Sequence, residues 1–195
     1  MNAGFMKRLL AFMIDYIIVS LIISIVTMSI STTKVESLNK QLVEIENKVM
    51  SGEMDIEEFS EQSTSIMYDL EKASLPSDIV TVVIFIGYFI VFQYLNKGQT
   101  LGKKLLKIKI VEGDKKNSPR LITVITRSLL IDMILMRLVI IVLAIALDSY
   151  GFVMVYGLFS MLYIIFIMVC IFMMLFRNDK VSLHDMITHS NVVEV

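Results

Sequence analysis

Hydrophobic residues fall along the chain in four long, nearly unbroken runs, at roughly 9–30, 78–95, 128–147 and 152–176. A helix rises 1.5 Å per residue and needs about 20 apolar residues to cross the hydrocarbon of a bilayer. Each run is long enough for one crossing, the second only just. The link between the last two, DSYG, is tight and predicts an antiparallel pair. The first run is longer than the 7–15 residues of a signal-peptide core, contains an acid and lacks a small-x-small cleavage site, so it reads as a retained span.

The intervening segments carry different periods. Over 31–77, Val35, Leu38, Leu42, Ile45 and Val49 alternate steps of three and four, an apolar seam on one helix face. Gly52 then supplies a stop, and Asp55 with Glu58 a capping pattern for a second helix. Phe59, Ile66 and Leu70 line that helix, which is expected to end near Pro76. The segment thus predicts a helical hairpin outside the membrane, stacked on the first two spans. Over 96–127 the period is that of a strand: Leu106, Ile108 and Ile110 alternate with Lys107, Lys109 and Val111, followed by the turn chemistry of EGDKKNSP. The tail, 177–195, ends in HSNVVEV, a second strand, and 107–111 is expected to pair with 190–194. The fold class is therefore an all-α membrane protein: a four-helix transmembrane bundle with an extracytoplasmic helical hairpin and a small cytoplasmic β element.

Composition agrees. Of 195 residues, 56% are hydrophobic, against about 45–50% in soluble domains, and the mean hydropathy is +0.74. The net charge of −1 names no partner, but its distribution sets a direction. Lys97, Lys103, Lys104, Lys107, Lys109, Lys115, Lys116, Arg120 and Arg127 crowd 96–127, Lys7 and Arg8 precede the first run, and Arg177 and Lys180 follow the last. By the positive-inside rule both termini and the 96–127 loop face the cytoplasm, and the lysines lie against anionic inner-leaflet lipids. No aromatic residues interleave with these bases, which argues against nucleic acid. The single Cys170 offers neither a disulfide nor a metal site, and His184 and His189, five apart with no third ligand, predict no metal.

Charges inside the runs carry the candidate chemistry. Asp15 lies in the first run, and Asp132 and Arg137 in the third, with Arg8 and Arg127 at the inner mouths of the two. A lone charge in lipid is costly, whereas paired charges facing a bundle interior are tolerated. The first and third spans are therefore expected to face each other, with Asp15 and Asp132 near Arg137 and Arg127.

Arg8, Leu9, Ala11 and Asp15 in KRLLAFMID, GQTLGKKLLKIKIV in the central loop and LHDMITHSNVV in the tail together resemble the RDD family of bacterial membrane proteins. The resemblance places the family's arginine at Arg8 and its two aspartates at Asp15 and Asp185. It places a Gly-x-Thr-x-Gly-Lys pattern at Gly98, Thr100, Gly102 and Lys103. It covers all four runs and both inner segments but not 31–77, which reads as an insertion. Family tails often read HDRLAGTxVV, and this one, HDMITHSNVV, lacks the basic residue and the glycine. The resemblance implies a bacterial plasma-membrane location and an Arg8–Asp185 pair at the cytoplasmic mouth, above Asp15. Transport is suggested for the family, including sodium–proton exchange in some members.

Two functions follow as expectations. In the first, Asp15, Arg8, Asp132 and Asp185 form a proton or cation relay, with a homo-oligomer completing the path. In the second, the chain is a non-transporting scaffold that docks a membrane or extracytoplasmic protein through the acidic outer hairpin. No catalytic array and no cofactor motif is present in the sequence, so no enzyme is expected.

Overall fold

The computed structural model describes residues 2–28, 30, 33–113 and 117–195; Lys115 and Lys116 of the basic loop lie outside the described residues. The chain is mostly helical. In order it runs α1 (Phe5–Thr27), α2 (Thr33–Met50), α3 (Ile56–Leu95), α4 (Leu101–Leu105), β1 (Ile108–Glu112), α5 (Leu121–Ile131), α6 (Ile134–Ala146), α7 (Ser149–Phe176), α8 (Leu183–Ile187) and β2 (Ser190–Glu194). Helices α1, α3 and α7 are each long and apolar enough to cross a membrane, and α5 with α6 form a bent pair that together could make a fourth crossing.

Helix α1 buries only Ala11, Asp15 and Val19, a stripe with a four-residue period. Leu10, Met13, Ile17 and Leu21 lie exposed on its other faces, as lipid-facing residues do. Val19 packs with Phe85, Phe89, Ile90 and Ile134, so the central apolar core joins α1, α3 and α6.

Helix α2 packs on α3, burying Leu38 and Ile45 of the apolar seam. Gly52, at φ +77, makes the turn between them, and the Asp55 carboxylate caps α3 by accepting from the Glu58 amide at 2.8 Å. Pro76 does not end this helix. It lies inside α3, a single helix of 40 residues and about 60 Å at 1.5 Å per residue, some twice the hydrocarbon thickness. An interior proline costs about 3 kcal/mol, and contacts on either side of it hold the helix together. The Tyr68 hydroxyl donates to the Leu147 carbonyl at 2.5 Å, and Arg137 of α6 pairs with Asp78 at 3.0 Å. Between Ile86 and Phe92 the hydrogen bonding of α3 becomes π-helical.

The third run is not one straight helix either. It breaks at Asp132–Met133, where Met133 takes φ +60, and α5 and α6 meet at a bend of 68°. The run contains neither Gly nor Pro at this point. Tyr163 of α7 compensates by donating its hydroxyl to the Leu130 carbonyl at 3.2 Å, one of the groups such a break leaves without a helical partner.

Strands β1 and β2 pair antiparallel, Ile108 opposite Glu194 and Glu112 opposite Ser190. The Ala3 amide donates to the Val192 carbonyl at 2.8 Å, so the N-terminal segment lies against the same strand. Ala3, Ala11, Ile108, Ile110 and Val192 form a second small core. The start of α1, the end of α3, the start of α5 and the end of α7 thus converge on one polar platform.

Candidate functional site

The loop motif folds around Asp15. Gly98 sits at φ +89, where a Cβ would stand 2.5 Å from the Ile110 carbonyl oxygen, so the turn out of α3 requires glycine. Thr100 caps α4, and its hydroxyl donates to Asp15 Oδ2 at 2.5 Å. The Gly102 amide donates to Asp15 Oδ1 at 2.7 Å, and the Tyr88 hydroxyl donates to the same oxygen at 2.6 Å. Tyr88 in turn accepts from the Leu101 amide at 3.2 Å. Asp15 therefore sits among the free amides at the start of a helix. Gly102 makes that approach possible: a Cβ there would lie 2.3 Å from the Ala11 carbonyl oxygen and 3.0 Å from the Asp15 carboxyl. This corrects the expected partners. Asp15 has no arginine within ion-pair distance among the described residues; two hydroxyls and an amide hold it instead.

The arginines converge elsewhere. Arg8 Nη1 donates to Asp185 Oδ2 at 2.6 Å, and Arg127 Nη1 pairs with Asp185 Oδ1. The three side chains are 9%, 8% and 0% exposed for Arg8, Arg127 and Asp185. Arg8 also reaches the Ala3 and Lys180 carbonyls, each at 3.0 Å, and Arg127 donates to Ser190 Oγ at 2.8 Å. Ser182 and Asp185 form a reciprocal capping box that fixes α8. Burial works to raise the Asp185 carboxyl, but Arg127 and Arg8 outweigh it and hold the group well below the usual carboxylate range. His184 lies 3.1 Å from Arg127 Nη2 through Nε2. A guanidinium only donates, so Nε2 accepts and the ring proton sits on Nδ1, which donates to Ser182 Oγ at 2.9 Å. Burial, and then the charge of Arg127, push His184 down to about 3, so it is neutral at physiological pH.

Between these two clusters lies a cavity of about 260 Å³. Its polar end is formed by Arg8, Asp15, Gln93, Lys103, Arg127, Asp132 and His184, and its other walls by apolar side chains of α1, α5 and α7. Lys103 donates to Gln93 Oε1 at 2.5 Å. Burial pushes its amine down, against the pull of Asp132 and Asp15. Asp132 stands at the helix break, 8% exposed. Its carboxylate makes no ion pair with a described residue; the Ser128 hydroxyl, one turn back, lies within its reach but donates to the Phe89 carbonyl at 2.9 Å. With Arg8, Arg127 and Lys103 set against Asp15, Asp132 and Asp185, the assembly is formally balanced, and Asp132 is its one carboxylate without a hydrogen-bonded partner among the described residues.

Arg137 lies apart from this assembly. Its partner is Asp78 at 3.0 Å, on the opposite side of the α3–α6 contact, rather than Asp132 or Asp15. His189 is exposed, unlike the buried His184, and stands at φ +47 on the approach to β2. Tyr88, Gln93 and Ser190 are site residues that the reading of charges and motifs passed over. Tyr88 and Gln93 were visible in the sequence among the few polar positions of a largely apolar run. Their spacing of five places them near one face only where the helix is π-helical.

The sequence model described as RDD family matches residues 2–189. No curated protein and no solved structure matches the chain.

Proposed function

The chain belongs to the RDD family, and from that premise we propose that it is a multi-pass protein of the bacterial plasma membrane that moves a proton or small cation through a site centred on Asp132. The supporting observation is the carboxylate itself. Asp132 is buried, faces a cavity and lacks a hydrogen-bonded partner among the described residues, at a break in a helix that belongs to a membrane-crossing pair. A carboxylate in a poorly hydrated cavity lowers its free energy by taking up a proton or a cation, and broken helices are where transporters place such sites. Lys103, facing the same cavity, acts as the internal counter-charge when the site is empty.

In this reading both termini face the cytoplasm, and the four crossings form a bundle whose inner ends meet at the polar platform. The convergence of four helix ends on that platform fits an even number of crossings. Asp15 and the Arg8–Asp185–Arg127 cluster hold the platform against the bundle, and Asp132 is the group that binds. Four crossings are few for a complete path, so a homo-oligomer carries the activity. The test is exchange in proteoliposomes read by a trapped pH dye. A sodium or potassium gradient moves protons with the wild-type chain and not with Asp132→Asn of equal folded content. No flux from well-folded wild-type protein refutes the reading.

One observation favours a second reading, a scaffold that docks a protein partner outside the membrane. Helix α3 is about twice the length a bilayer needs, and its first half with α2 carries Glu36, Glu44, Glu46, Glu57, Glu58 and Glu61. Removal of 34–75 then abolishes function while flux, if present, persists.

A further inference from the structure

The cavity has two unlike ends. Two residues that line it, Leu9 of α1 and Met133 at the helix break, are also 37% and 41% exposed on the outer surface. Ile171 and Met174 of α7, with Phe5, Phe12 and Phe89, also line it. In a bilayer, exposed apolar residues at this position face acyl chains rather than water. The lining of the cavity thus reaches the apolar outer surface at these two residues.

The charges inside select among lipid-borne visitors. Arg8 and Arg127 are both bound to Asp185 and Asp15 is held by its three donors, while Lys103, the remaining cation in the lining, is bonded to Gln93. Asp132 makes no ion pair among the described residues, and the hydroxyl within its reach, that of Ser128, donates to the Phe89 carbonyl. An anionic head group would add a second negative charge beside it, whereas a cationic one would match it. The volume sets the size. At about 260 Å³, the cavity lies below the roughly 300–1,000 Å³ of pockets that enclose a whole drug-sized ligand. It holds a small head group and the first few methylenes, with the rest of a chain left in the bilayer.

We propose that the Asp132 cavity binds the cationic head of an amphiphilic amine that enters laterally from the membrane, its hydrocarbon tail lying past Leu9 and Met133. The inference rests on the reading of Asp132 as the binding carboxylate and names the class of cation it takes.

The test is equilibrium binding of radiolabelled dodecyltrimethylammonium to the full chain in lipid nanodiscs, with no gradient imposed. Saturable binding is expected, weakened at least tenfold in Asp132→Asn and retained in Asp132→Glu, with thermal unfolding confirming that each variant is folded. Leu9→Trp, which narrows the cavity where its lining meets the outer surface and leaves every charge in place, also weakens it. Tetramethylammonium, which has the head and no tail, competes poorly, and dodecyl sulfate does not compete. The proposal is overturned by binding that survives Asp132→Asn in folded protein, by equal competition from dodecyl sulfate, or by the absence of saturable binding. Because the assay needs no flux, the two readings fail separately. Binding without exchange in proteoliposomes removes transport and keeps the site, and sodium- or potassium-driven exchange without amphiphile binding does the reverse.

Discussion

Arg8 at the start of the first helix and Asp185 in the short helix α8 of the tail meet at 2.6 Å, 177 residues apart in the chain. Arg127 closes the same carboxylate from the other side. One acid thus links the first helix, the bent pair and the tail. Removing it leaves two guanidiniums buried without compensation, which typically costs about 3–5 kcal/mol. Asp185→Asn is expected to lose most of the folded yield or to melt far below wild type in detergent. A melting temperature within a few degrees of wild type contradicts a structural role for the cluster.

Gly102 is the second point of leverage. A Cβ at that position meets the Ala11 carbonyl oxygen at 2.3 Å, and backbone cannot yield as a flexible side chain does. Gly102→Ala is expected to cost about 1–3 kcal/mol through overpacking and to lift α4 from α1, removing the amide that holds Asp15. Combining it with Asp15→Asn adds less than the sum of the two, because both break one contact. Full additivity in thermal or denaturant unfolding counts against the clasp.

The tail carries a pH dependence whose sign follows from His184. Its folded value is pushed down to about 3 from the ordinary 6.5, so the unfolded state binds the extra proton between those limits. The contribution to stability is complete above about pH 6.5 and declines as pH falls toward 3, and Asp185, also lowered, adds to the loss at the acid end. A proton on His184 would face Arg127 and Arg8 as well as Asp185, whose carboxylate lies 3.3 Å from Nε2. Hydrogen exchange over 182–190 is expected to quicken from pH 7.5 to 5, beyond the intrinsic effect of pH, and to do so less in His184→Gln. Equal pH sensitivity in wild type and variant contradicts the assignment.

His189 stands at φ +47 where the family's tail pattern has glycine. A side chain in the left-handed region costs about 1–2 kcal/mol, partly offset by the greater freedom of glycine when unfolded. His189→Gly is therefore expected to raise stability by about 0.5–1 kcal/mol. A loss of stability points to an interaction of the imidazole that the backbone geometry does not reveal.

Apolar length and charge pattern made the membrane-crossing runs legible, and strand alternation made the β1–β2 pair legible, because both depend on local periods. The partners of Asp15 were not legible by the same route. Pairing charges by depth pointed to Arg137 and Arg127, but the cost of burying a carboxylate can be met as well by hydroxyls and amides, which carry no charge in the sequence. The motif glycines were visible as a pattern, and only the close approach of Gly102 to Ala11 explains the second of them. Pro76 and Asp132 mislead in opposite senses. The proline reads as a stop and lies inside a helix, while the break at Asp132–Met133 occurs in a run with no breaker at all. At Pro76 the contacts of Tyr68 with the Leu147 carbonyl and of Asp78 with Arg137 overrule local preference, and at the break the Tyr163 hydroxyl of α7 does; none of these partners is encoded nearby.

The central claim is that Asp132, and not Asp15, exchanges a proton for a cation. The most direct measurement is the infrared difference spectrum of the folded chain in lipid on adding sodium or potassium at constant pH, followed in the carboxyl stretching region. The account predicts a carboxyl band lost on cation addition that is absent in Asp132→Asn and retained in Asp15→Asn. A cation-dependent band that persists in Asp132→Asn and disappears in Asp15→Asn contradicts it.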